Sequence, residues 1–255
     1  MRTPLIAGNW KMNTTLADAH ILATGIRNEA EHLEQIEIVL CPPSIWLTEV
    51  AHIVPPRHYS HLKLGAQNMY FEETGAFTGE ISPLMVKEVA EYVIIGHSER
   101  THLFGEKVPF LAQKVRSALD HSLNPIICVG EDAKAADSKR QLVHTLEHLT
   151  VDLTQVELEQ IVIAYEPVWA IGSGTPATPD YAQEVIAALR RVVTEKTRML
   201  YGGSVSDQNS LGFLSQPDID GLLIGGASLK IKTFITIARQ ADDQIVAQKS
   251  TSKQP

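Results

Sequence analysis

The sequence predicts an α/β protein folded as one closed (β/α)8 barrel. Three observations carry that prediction: eight short apolar runs recur along the chain, most end in small or polar residues, and amphipathic helical patterns separate them. The runs are Leu5 to Asn9, Ile36 to Cys41, Leu62 to Gln67, Tyr92 to Gly96, Pro125 to Val129, Ile161 to Tyr165, Met199 to Gly202 and Gly221 to Ile224. Most are apolar on both faces, as parallel strands are when helices cover them outside and a packed interior fills the other side. An open doubly wound sheet is the rival architecture. It lacks its mark, because no Gly-x-Gly-x-x-Gly follows the first run.

The helices between the runs announce their starts and faces. The clearest carries Tyr181, Val185, Ala188, Leu189 and Val192 on one stripe, opened by Thr178 as a cap and Pro179 at a position whose missing N–H is not needed. Ser82 before Pro83 repeats the device, and Val108 to Leu119 and Phe234 to Val246 read as further amphipathic helices. No linker interrupts the pattern. Residues 1–241 are expected to form the single barrel domain, and residues 242–255, rich in Gln, Ser and Lys, a polar tail that ends the last helix and then becomes disordered.

Charge and cysteine usage narrow the partners. A net charge of -8 disfavours nucleic acid, so any anionic ligand must be held locally. Cys41 and Cys128 each adjoin an apolar run and read as reduced thiols. No stretch approaches the ~18 apolar residues of a membrane span, and the chain enters its first strand at once. A soluble cytoplasmic protein with no membrane partner is expected.

In such barrels chemistry collects at the carboxyl ends of the strands. The first strand leads into Asn9-Trp10-Lys11, where alternation sends Asn9 and Lys11 to one side; a lysine in the barrel mouth wants an anion, although spacing alone reads equally as a solvated surface lysine. The fourth ends Gly96-His97-Ser98-Glu99-Arg100, where a short helix beginning at Ser98 would favour neutral imidazole over imidazolium at His97; a lone histidine there is also commonly just a cap. The sixth leads into Glu166-Pro167-Val168-Trp169, then small residues and Pro176, the composition of a lid on two hinges, with a rim salt bridge as the alternative use of Glu166. Gly202-Gly203-Ser204 and Gly225-Gly226 close the last two strands, where backbone amides can cradle a phosphate.

Taken together, Ala7 to Asn13, Gly75 to Glu80, Gly96 to Arg100, Tyr165 to Gly172 and Tyr201 to Ser204 closely resemble the triosephosphate isomerase family, over about residues 3 to 240. The resemblance implies a TIM barrel that interconverts dihydroxyacetone phosphate and D-glyceraldehyde 3-phosphate through an enediolate, in glycolysis and gluconeogenesis, without a cofactor or metal. It assigns Glu166 as the base, His97 as a neutral electrophile, and Lys11 and Asn9 as stabilisers of the developing charge; that division of labour is the family's and is not read from spacing. It places the substrate on Asn9, Lys11 and the amides of Gly172, Ser204, Gly225 and Gly226. It gives supporting roles to Glu99 beside Lys11, to Glu131 as partner of Trp169, to Tyr201 and Ser204 as lid latches, and to Thr78, on an arm from Gln67 to Glu80 that reaches a second subunit. A homodimer is therefore implied.

Three departures from the family pattern stand out: Thr101 after the Ser-Glu-Arg run, expected to loosen an ion pair near the fourth helix; the stretch Asp132 to Lys139; and Pro176 in the trailing hinge. Two alternatives remain open on the residues alone. One is an aldolase-like or synthase barrel with a lysine Schiff base on the same phosphate site, and the other is a non-catalytic barrel scaffold.

Overall fold

Eight parallel strands close on themselves in sequence order, β1 (Leu5–Asn9), β2 (Glu37–Cys41), β3 (Leu62–Ala66), β4 (Tyr92–Ile95), β5 (Asn124–Glu131), β6 (Val162–Pro167), β7 (Arg198–Tyr201) and β8 (Gly221–Ile224), with β8 pairing back onto β1. This computed structural model describes residues 2–54, 61–135, 137–170 and 176–251. The helices between the strands are α1 (Leu16–Ala30), α2 (Ser44–Ile53), α3 (Pro83–Val89), α4 (Ser98–Leu103), α5 (Val108–Asp120), α6 (Ser138–Thr150), α7 (Gln155–Gln160), α8 (Pro179–Arg190), α9 (Ser210–Leu214) and α10 (Ile231–Thr251). The expected (β/α)8 barrel is the fold observed.

Strand parity divides the core in two. Leu5, Ala7, Val39, Cys41, Tyr92, Ile94, Ile126, Cys128, Val162, Ala164, Leu200 and Leu223 form one cluster, the interior of the barrel. Their neighbours of opposite parity, such as Ile6, Ile38, Leu40, Val93, Ile127, Ile163, Met199 and Leu222, join the larger cluster shared with the helices. Both parities are apolar because neither meets water. At the amino end the interior is plugged by polar groups that satisfy one another: Tyr92 and Arg198 both donate to Glu37 Oε2, at 2.9 and 2.6 Å, and Arg198 also donates to the Tyr92 hydroxyl at 2.7 Å.

Helix starts follow the local rules. Ser82 and Thr178 accept from Met85 and Tyr181 amides ahead of Pro83 and Pro179, and Thr15 and Thr154 complete capping boxes with Asp18 and Glu157. Several bounds differ from expectation, most by a single residue; the larger differences bear on the helices and on the site. The buried stripe of α8 is Ala182, Val185, Ile186 and Leu189, so Ala188 lies beside it and Val192 falls beyond the helix. The last helix is longer than Phe234 to Val246 at both ends. β5 and β6 run on to Glu131 and Pro167, keeping Glu166 inside the ladder opposite Gly130. A Cβ on Gly130 would lie 2.4 Å from the Glu166 carbonyl oxygen, so only glycine lets the two strands stay paired that far.

Both cysteines are buried free thiols, and burial pushes each above the ordinary thiol range, with the nearby Glu166 carboxylate adding to the effect on Cys128. Among the described residues no helix is long and apolar enough to cross a membrane.

Candidate active site

The parity that fills the barrel also delivers two site residues. Leu5 and Ala7 point inward, so Asn9 does too; Val162 and Ala164 point inward, so Glu166 follows. The same rule on β4 would spend the inward position on Gly96 and send His97 outward. Gly96 has φ of 74°, a left-handed conformation that reverses the chain and brings His97 into the mouth. Lys11 lines the same cavity as Asn9, the side that alternation predicts, but β1 has ended and the lysine gets there through a φ of 53°. Asn9 Oδ1 accepts the Lys11 amide at 3.0 Å and Gln67 Nε2 donates to the Lys11 carbonyl at 2.9 Å, which together hold that uncommon backbone.

The carboxylate of Glu166 is 1% exposed and docked at the start of α4, where the Ser98 amide donates to Oε2 at 2.8 Å. Its Oε1 has no hydrogen-bond partner, although His97 Nε2 lies 3.1 Å away, too far off line for a bond. A buried carboxylate oxygen without a partner is open to a donor brought into the cavity. His97 caps α4, and its Nδ1 accepts the Glu99 amide at 3.2 Å. A ring nitrogen that accepts an N–H carries no proton itself, so this bond fixes the tautomer with the hydrogen on Nε2, facing the cavity.

Lys11 Nζ is paired with Glu99 Oε1 at 2.7 Å and its stem lies alongside Gly225, where an added Cβ would come within 3.2 Å of Lys11 Cε. Asn9, Lys11, His97 and Glu166 share one cavity of about 630 Å³ with Ser204, Gly225 and Gly226. The floor at β7 is glycine for reasons of space: a Cβ on Gly202 would sit 3.0 Å from Glu166 Cγ, and one on Gly203 would sit 2.2 Å from the Tyr201 hydroxyl. Beside Gly226, which has nothing within 4 Å of an added Cβ, begins the helical turn Gly226–Leu229. The walls can therefore bind an anion through backbone amides with Lys11 as the one cation lining this cavity. Gly172 lies outside the described residues.

Around this cavity the supporting residues are arranged as follows. Tyr201 accepts the buried Ala177 amide at 3.2 Å, and Ser204 Oγ donates to the Ala170 carbonyl at 2.7 Å, so both touch the described ends of the predicted lid. Burial pushes the Tyr201 hydroxyl up to about 12 and keeps it protonated. Glu131 Oε1 accepts from Trp169 Nε1 at 3.3 Å and from the hydroxyls of Tyr165 at 2.8 Å and Tyr181 at 2.6 Å. Burial first, and then the Glu131 carboxylate, raise both tyrosines. Thr78 is exposed, on an arm where Tyr70 stacks on Phe71 and packs against Phe77, and both Tyr70 and Phe71 pack against Phe110. Thr101 donates to the Ser98 carbonyl at 3.0 Å, and the neighbouring Arg100–Glu106 pair is intact at 2.7 Å, so the expected loosening is not seen there.

Sequence reasoning missed the Ser98 amide as the dock for Glu166, and Gln67 as the brace of Lys11. A backbone donor leaves no side-chain signal, and Gln67 acts from another strand's end.

Comparison with known proteins agrees with this geometry. The sequence model described as triosephosphate isomerase matches residues 4–241. Curated triosephosphate isomerases share 47% identity over 249 residues in Dehalococcoides mccartyi (strain CBDB1), covering 94% of this chain and 97% of that protein. The enzyme of Caldanaerobacter subterraneus subsp. tengcongensis is 44% identical over 250 residues, covering 93% of this chain and 99% of its own. That of Chloroflexus aurantiacus is 45% identical over 249 residues, covering 93% and 98%. With a closed eight-stranded barrel, a family match over residues 4–241 and relatives up to 47% identical along nearly the whole chain, the chain belongs to the triosephosphate isomerase family.

Proposed function

We infer that the chain interconverts dihydroxyacetone phosphate and D-glyceraldehyde 3-phosphate, with Glu166 as the base. The observation that carries the residue assignment is the unpartnered Oε1 of a buried carboxylate beside an imidazole whose proton is fixed on the cavity side. Glu166 takes a proton from the carbon next to the carbonyl and returns it to the former carbonyl carbon. His97 donates from Nε2 to the substrate oxygens while charge develops, and Lys11 and Asn9 stabilise the enediolate. The phosphate rests on the amides of Gly172, Ser204, Gly225 and Gly226. No cofactor takes part in these steps. Closure over the cavity by the segment after Glu166, latched through Tyr201 and Ser204, keeps water from a phosphorylated enediolate that would otherwise expel its phosphate.

The assembly we propose is a homodimer. Met12 and Phe104 are 96% and 69% exposed and line one groove with residues 67–69 and 79–81, an apolar exposure that a second subunit's arm, carrying Thr78, would cover. Thr78 would then brace Asn9 and Lys11 of the partner. Residues 1–241 form the functional domain in this reading and 242–255 an appendage, and the working compartment is the cytoplasm, where the reaction serves glycolysis and gluconeogenesis. Neither alternative is favoured: the Lys11 ammonium is taken up by an ion pair with Glu99 at 2.7 Å, and no expected catalytic side chain is missing.

A coupled assay on glyceraldehyde 3-phosphate tests the activity, with turnover expected and its absence in folded protein fatal. Borohydride with substrate should leave no adduct. Light scattering should give twice the 28.1 kDa chain mass; a monomer at micromolar concentration would remove the dimer.

A further inference from the structure

The loop after β5 grips the turn that follows the base. Glu131, the last residue of β5, and Lys134, three residues on in that loop, hold the same two rings, Trp169 and Tyr181, from different sides. Glu131 Oε1 takes their polar edges, while the Lys134 ammonium lies 4.2 Å from the Trp169 ring centroid and 4.6 Å from that of Tyr181, the rings themselves packed edge to face. Lys134 is exposed and makes no ion pair among the described residues, so its charge is free to interact with the ring faces. The loop is fixed on its far side to α8, where Lys139 pairs with Glu184 on the helix that carries Tyr181. Trp169 is the looser member of the group, with one hydrogen bond at 3.3 Å against 2.6 Å for Tyr181.

Trp169 is three residues beyond Glu166, in the helical turn Val168–Ala170 that continues β6. Glu166 is docked on the Ser98 amide and is joined to Trp169 by three residues of backbone, so a restraint on the Trp169 ring is passed directly to the position of the carboxylate. We propose that Lys134 is a positioning residue: by holding Trp169 it favours the arrangement in which Glu166 is docked on Ser98, and so sets the balance between the resting and the substrate-engaged enzyme. This deepens the reading of Glu166 as the base and rests on it.

The test is Lys134→Met, which keeps the stem and removes the charge, with Lys134→Arg as the conservative variant. A cation over exposed rings is worth enough to shift the balance by about two- to five-fold. KM for glyceraldehyde 3-phosphate should fall by that factor, and inorganic phosphate should inhibit at correspondingly lower concentration. The turnover number should fall with KM, because product release requires the docked arrangement to return. Lys134→Arg should behave as the parent, and in a Trp169→Leu background Lys134→Met should change neither constant. A rise in KM at unchanged turnover that disappears in high salt would mean that Lys134 only attracts the anionic substrate, and would overturn the proposal. So would unchanged kinetics in Lys134→Met, or the same shift with Trp169 removed. An inactive parent enzyme would instead defeat the isomerase reading itself.

Discussion

Replacing Glu166 with Gln separates catalysis from folding at one atom. The amide keeps an oxygen for the Ser98 N–H, 2.8 Å away, and leaves the side-chain shape unaltered. It puts an NH2 where Oε1 now stands, 3.1 Å from a His97 Nε2 that already carries its proton, so the free lone pair disappears and two donors face each other. An amide has no useful basicity. The loss should be at least the usual contribution of a positioned acid or base, about 10²- to 10⁴-fold in turnover, or roughly 3 to 5 kcal/mol of transition-state stabilisation. Binding should hardly change, because Lys11 and the glycine turns that would receive the phosphate are untouched. Stability should also be nearly level: losing a negative charge at a helix start costs about 0.3–1 kcal/mol, and no longer burying a carboxylate that is 1% exposed offsets it. The coupled assay, inhibition by inorganic phosphate and a thermal melt read these three quantities separately. Turnover within tenfold of the parent, in protein that melts normally, would refute the assignment of the base.

Lys11→Ala should raise KM and lower turnover together, since the ammonium would meet both the substrate and the developing oxyanion; a change in KM alone would confine it to ground-state binding. Lys114→Met should cost about 3 kcal/mol, the lower end for breaking a buried pair, because Glu106 loses an ammonium at 2.8 Å but keeps Arg100 at 2.7 Å. At fixed protein concentration the melting temperature should drop by roughly 6–12 °C. Adding Glu106→Gln should return more than half of that drop; simple additivity would show that the two charges are not coupled. Arg116 and the Thr154 cap lower the Glu157 carboxyl to about 2 from an ordinary 4.5. A depressed carboxyl stabilises the fold fully above the unfolded value and loses that contribution as pH falls from about 4.5 toward 2. Glu157→Gln should therefore flatten this part of the acid-melting profile, and an unchanged profile would count against the link.

Much of the fold was legible because it depends on local order. Apolar runs covered on both sides, Ser and Thr caps before prolines, and glycine at sharp turns each need only neighbours in sequence, and β1 and β8 have the bounds the sequence predicts. The site was legible to the extent that it follows parity: Asn9 and Glu166 continue the inward series of their strands. Lys11 falls on the expected side although its strand has ended and its backbone is left-handed; His97 breaks the parity, and only the left-handed backbone at Gly96 turns it in. The stripe of α8 was misread at Ala188 and Val192 because which face is buried depends on where the barrel lies.

What the sequence determined by itself was the repeated strand and helix unit, the identity of the reactive side chains and the glycine-rich strand ends. Tertiary structure alone decided which lone pairs are free. Docking Glu166 on an amide 68 residues away, fixing the His97 tautomer through the cap of α4, and gathering Tyr165, Trp169 and Tyr181 on one oxygen of Glu131 all depend on closing the barrel. Hydrogen bonding is short-ranged and directional, so its partners are chosen only once distant strand ends are brought within about 3 Å of one another.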